Sequence, residues 1–132
     1  MIGDSLSTAV LQRAMDGTWQ RENAVAGNIA NHETPGYKAV KVSFEAALEK
    51  AARSMKRNPA SEADYLRGLE TVKRADIEVF EDNTFIERAD SSNVNLEQEN
   101  IEMAKVQLQY SYLARQMTDS FTRLRYAIRE GR

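Results

Sequence analysis

The most constraining feature of this chain is a stripe near its C-terminal end. Met103, Val106, Tyr110, Leu113, Met117, Phe121, Leu124 and Ile128 follow one another at steps of 3, 4, 3, 4, 4, 3 and 4. Such steps keep side chains on one face of an α-helix. A second row, Ile101, Ala104, Leu108 and Ser111, widens that face. Asn95 is placed to cap the helix, with Gln98 three residues on in a capping-box pattern. Glu97 and Glu99 sit at the positive end of the helix dipole, and Arg123, Arg125 and Arg129 at the negative end. The pattern predicts a helix from about Leu96 to Ile128, with a coiled-coil-like seam wide enough for more than one neighbour.

A second long helix is expected from residue 4 to about 31. Leu11, Met15, Thr18, Val25 and Ile29 recur at helical spacing, interrupted by Glu22. Alanines favour helix and allow close approach, while Gly17 and Gly27 each weaken it by about 1 kcal/mol. Alone, this segment would be marginal in water. At 1.5 Å per residue the two helices span roughly 40 and 50 Å. A compact domain of this size is only about 35 Å across. The expectation is an elongated hairpin of helices whose apolar seam outruns the first helix, and a surplus of that kind marks an assembly surface.

Between the helices the signals are shorter. Thr34-Pro35-Gly36-Tyr37 suits a type II turn, since Pro35 presets φ and Gly36 accepts positive φ. Residues 43–56 read as a helix with Phe44, Ala47, Leu48 and Ala51 on one face. Asn58-Pro59-Ala60-Ser61 breaks it, and residues 60–75 are polar and ambiguous. Ile77–Phe80 and Thr84–Ile86 flank Glu81-Asp82-Asn83 and suggest a short β-hairpin. The fold class is mainly all-α, in three segments: 1–34 as the N-terminal helix, 35–94 as the turn and variable middle, and 95–132 as the C-terminal helix.

The chain's 132 residues contain no cysteine and one histidine. Disulfides, zinc–thiolate sites and thiol nucleophiles are therefore excluded, as is any two-histidine metal site. A catalytic triad would have to use His32, which sits in a polar loop, and no pair of carboxylates stands out. The six glycines are scattered, so no phosphate-cradling loop exists. Met103 and Met117 read as packing residues. No catalytic, cofactor or metal site is expected. The net charge of −2 argues against a dedicated nucleic-acid binder. That total averages an uneven layout: residues 76–102 carry −8 and residues 103–132 carry +4. One reading is a solvated acidic loop before a helix with a basic end. The other is complementary patches on neighbouring subunits. Residues 1–11 lack a basic stretch followed by an apolar one, so a Sec signal is not expected. No apolar stretch has the length of a membrane span.

The segment Asn28-Ile29-Ala30-Asn31-His32-Glu33-Thr34-Pro35-Gly36-Tyr37-Lys38-Ala39 resembles the signature of the bacterial flagellar rod, hook and hook-associated proteins: Asn-Ile-Ala-Asn, two variable residues, then Thr-Pro-Gly-aromatic. Asn93-Val94-Asn95-Leu96 with Glu99 and Met103 is similar to the start of that family's C-terminal helix. Leu124–Ile128 is similar to its ending. The length and the Tyr-Lys-Ala continuation resemble its proximal rod members. Residues 52–87 match weakly. One departure is Asp90-Ser91-Ser92 before Asn93, where the family often has Asp-Gly-Asn.

The resemblance implies a non-enzymatic structural subunit. Its terminal helices would pack with those of other rod subunits into the inner layer of a hollow tube, next to ring and adaptor proteins at the rod base. It would leave the cytoplasm uncleaved through the flagellar type III export apparatus, with no nucleic-acid or small-molecule partner and no cofactor. Phe44-Glu-Ala-Ala-Leu48 resembles a short motif read by the export gate. Helix packing of Phe44 on Leu48 explains the same spacing. The assembly seam would comprise Leu11, Met15, Val25 and Ile29 with the eight residues of the C-terminal stripe. The alternative is a cytosolic helical binding module or export chaperone, which needs no Thr-Pro-Gly-Tyr turn.

Overall fold

The computed structural model describes residues 2–55, 58–84 and 91–131. In chain order the elements are α1 (Ile2–Ala30), β1 (Val40–Ser43), α2 (Glu45–Ser54), α3 (Glu62–Lys73), β2 (Glu78–Glu81) and α4 (Leu96–Glu130). The chain is mainly helical, as the periodicities require. α1 and α4 pack together in each of two compact units.

The first unit gathers residues 1–16, 44–76 and 111–132. Phe44, Leu48 and Ala51 are buried together with Leu69, Val72 and Ala75. Gly68 on α3 faces Met55, and a Cβ there would lie 3.0 Å from the Met55 methyl. Small size lets the chain after α2 lie close against α3. Arg13 on α1 donates from Nε and Nη2 to the Ala75 carbonyl, at 2.9 and 2.7 Å. The Thr8 and Ser120 hydroxyls, 3.5 Å apart, link α1 to α4.

The second unit gathers residues 17–43 and 77–110. Its interior mixes apolar and polar groups: Val25, Ala39, Val42, Val94 and Val106 alongside Thr18, Asn28, Ser92, Asn93 and Glu99. β1 and β2 form a two-stranded antiparallel sheet, with Val40 opposite Glu81, Lys41 opposite Phe80, Val42 opposite Val79 and Ser43 opposite Glu78.

Two expectations change. The strand expected at 77–80 is observed as Glu78–Glu81, and its partner is Val40–Ser43. Phe85 and Ile86 lie outside the described residues. Thr84 instead folds back on Asp82, whose carboxylate accepts its N–H and hydroxyl. The ambiguous stretch at 60–75 contains α3. Ser61 caps it by accepting the Asp64 N–H at 3.1 Å, and Glu62 and Asp64 fall in its first turn. That Ser-x-x-Asp signal was present in the sequence, but only Leu69 and Val72 are buried on this helix, too few to show a stripe. α4 begins where expected, with the Asn95 side chain accepting the Gln98 N–H at 3.2 Å.

Candidate assembly site: the signature turn and its clamp

α1 ends in a chain of local hydrogen bonds. Asn31 Nδ2 donates back to the Gly27 carbonyl at 2.8 Å, and the Thr34 hydroxyl donates to Asn31 Oδ1 at 3.1 Å. Asn and Thr side chains compete with the helix for its backbone groups, and here they stop it. His32 Nδ1 donates to the Ile29 carbonyl at 2.8 Å, so the ring serves the helix end. The Tyr37 N–H then closes on the Thr34 carbonyl at 3.2 Å across Pro35 and Gly36. Gly36 has φ +74°, as a type II turn requires at that position. A Cβ at Gly36 would touch nothing within 4 Å, so the demand for glycine is one of backbone conformation alone.

Beyond the turn, two asparagines hold the chain. Asn28 is 1% exposed. Its Oδ1 accepts the Val40 N–H at 2.8 Å and its Nδ2 donates to the Val40 carbonyl at 2.9 Å. A side-chain amide carries the same donor and acceptor as a peptide group, so Asn28 stands in for a neighbouring strand. Its Nδ2 also donates to Glu99 Oε2 at 3.1 Å, tying the start of α4 to α1. Arg21, two helical turns earlier, donates to the Val42 carbonyl at 2.6 Å.

Asn93 works from the other side. Its Oδ1 accepts the Ala39 N–H at 2.7 Å, and its Nδ2 donates to the carbonyls of Asp82 at 2.6 Å and Thr84 at 3.2 Å. Its own N–H donates to the Tyr37 carbonyl at 3.3 Å. Among the described residues no buried side-chain nitrogen or oxygen lacks a partner, which is the condition for a polar interior to be rigid. Ser91, just before this clamp, has φ +60°. It stands where the resembling family often has glycine, and the backbone there asks for one. The Thr84 hydroxyl and N–H hold the Asp82 carboxyl below its usual pKa, with a smaller contribution from Lys41.

Of the signature residues, Asn28, Asn31, Thr34 and Gly36 carry the hydrogen bonds and the turn. Pro35 is exposed, and Ile29 and Tyr37 are half-buried. Arg21 was not legible as a site residue, and Asn93 and Glu99 were legible only as part of a helix start.

The seam residues have unequal surroundings. In the second unit Val25 and Val106 are buried, and Ile29, Met103 and Tyr110 half-buried. In the first unit Leu11, Met15, Leu113 and Met117 are half-buried, while Phe121, Leu124 and Ile128 are exposed. Phe44 and Leu48 are both buried there, and the Leu48 N–H donates to the Phe44 carbonyl at 2.9 Å. Among the described residues no cluster of three His, Asp or Glu side chains could hold a metal ion, and no helix is long and apolar enough to cross a membrane.

No family model matches the chain. Against individual proteins, it is 27% identical over 124 residues to the flagellar basal body rod protein FlgB of Bacillus subtilis (strain 168), an alignment covering 92% of each chain. Over most of its length the chain is similar to the FlgB flagellar basal body rod proteins. It is also 35% identical over 69 residues to FlgB of Borreliella burgdorferi, covering 49% of this chain and 51% of that one. FlgB of Borrelia hermsii is 38% identical over 63 residues, 48% of this chain and 44% of its own. The family named by these relatives agrees with the one that the Asn28–Ala39 signature resembles.

Proposed function

We propose that the chain is a non-enzymatic structural subunit of the proximal flagellar rod, and that it assembles through its terminal helices into the hollow shaft that transmits motor torque. The carrying observation is the uncovered end of the α4 stripe: Phe121, Leu124 and Ile128 keep the spacing of the seam and remain exposed. Contiguous apolar residues left bare at helical spacing fit a surface completed by neighbours. In this reading segments 1–34 and 95–132 form the inner core of the rod, and 35–94 forms the signature turn and variable middle. The partners are other rod subunits and the ring and adaptor proteins at the rod base. The location is the basal body, outside the cytoplasmic membrane, reached without a cleaved signal peptide through the type III export apparatus. Phe44 and Leu48 serve twice: the export gate reads them in the unfolded chain, and they later pack in the folded one.

A strain lacking the gene should be non-motile and should swim again when the wild-type gene is returned. The pair Leu124→Ser and Ile128→Ser should yield a folded chain that does not restore swimming. Unimpaired flagella in the deletion strain would sink the rod role. A chain found only in the cytoplasm would favour the chaperone-like alternative.

A further inference from the structure

The two edges of the small sheet differ. On β1 three of the four outward-facing groups are taken, because Asn28 holds the Val40 N–H and carbonyl and Arg21 holds the Val42 carbonyl. In an antiparallel ladder residues alternate between bonding the partner strand and pointing away from it. Val40 and Val42 point away, so their opposites Glu81 and Val79 do as well. The N–H and carbonyl groups of Val79 and Glu81 therefore form the outer edge of β2, and no hydrogen bond from another described residue reaches them. All four residues of β2 are exposed. Val79 and Phe80, on opposite faces of the strand, are 53% and 40% exposed.

A bare edge is a template for a second copy of itself, but acidic residues oppose that here. A two-fold antiparallel pairing through the outward groups sets, depending on register, Asp76 against Asp82, Glu78 against Asp82, or Glu78 or Glu81 against its own counterpart. Like charges directly opposite one another destabilise a sheet.

We propose that the outer edge of β2 receives an extended strand from a different protein, one that carries Lys or Arg beside small β-branched side chains. Such a strand would meet Glu78 and Glu81 as opposite-charge cross-strand pairs and lay its apolar residues beside Val79 and Phe80. Backbone hydrogen bonds supply the attachment and the acidic residues choose the partner. That the partner lies in the basal body rests on the rod reading above.

Val79→Pro removes an outward N–H and no bond to β1, as edge strands tolerate, and Val79→Thr keeps that N–H. Both variants should give wild-type circular dichroism and a cooperative melt. In the deletion strain Val79→Thr should restore swimming and Val79→Pro should not. Glu81→Lys, which leaves the backbone alone, should also fail to restore it. In isolated basal bodies the Val79 and Glu81 amides should exchange hydrogen at least about tenfold more slowly than in the free chain. Swimming restored by a folded Val79→Pro, or equal exchange in the two states, would overturn the proposal. If Val79→Pro does not fold, Glu81→Lys decides: normal swimming with that variant overturns it. Failure of the wild-type gene itself to restore swimming would count against the rod reading instead.

Discussion

Val106 and Ile128 belong to the same stripe on α4, yet one is 1% exposed and the other 64%. Around Val106 the second unit supplies a dense interior in which Asn28, Asn93 and Glu99 have their hydrogen bonds made. Around Ile128 the helix keeps the spacing and lacks the cover. A periodic pattern specifies a face. Whether the face is covered depends on what else the chain can bring to it, and periodicity carries no record of that.

The comparison can be broken most sharply at the clamp. Asn28→Ala strands the Val40 N–H and carbonyl and takes a donor from the buried Glu99, so it should cost on the order of 3 kcal/mol in urea unfolding. Val106→Ala should cost about 2 kcal/mol through a buried cavity. Phe121→Ser, on the same stripe, should change the stability of the isolated chain by less than about 0.5 kcal/mol; equal losses at the two positions would erase the contrast. Gly36→Val should cost about 2 kcal/mol through backbone strain alone, since the space for a side chain is open. Ser91→Gly should stabilise the chain by about 0.5 kcal/mol, relief at positive φ being partly offset by a more flexible unfolded state. The smallest effect is in acid. Asp82 has a folded pKa below its unfolded value, so its contribution is present above about pH 4 and lost as the pH falls through the folded value. Asp82→Asn should flatten that part of a stability–pH curve and leave neutral pH little changed.

Both long helices, the second helix, the Asn95 cap and the turn at Pro35-Gly36 were legible because each rests on neighbours in sequence. The clamp was not. Asn28 reaches Val40 across 12 residues and Glu99 across 71, and Asn93 reaches Ala39 across 54. No periodicity marks a polar side chain that will serve a distant backbone. The strand at 77–80 was found and its partner missed for the same reason. Thr84–Ile86 was the nearest apolar run, whereas the observed partner is held on its outer edge by Asn28 and Arg21, which lie on a distant helix.

The Asn28 amide has one more consequence. A ladder of four residue pairs is too short to fix its own alignment by side-chain pattern. Here a helix tells the strand where to begin. The stretch from Asn28 to Val40 is therefore a measured length: one residue added or removed within it would present Ala39 or Lys41, respectively, to the amide and turn Val42 out of the interior. The stretch between Ser43 and Glu78 leaves the sheet and returns to it with no such gauge. An insertion there should be tolerated far better than one between Asn28 and Val40.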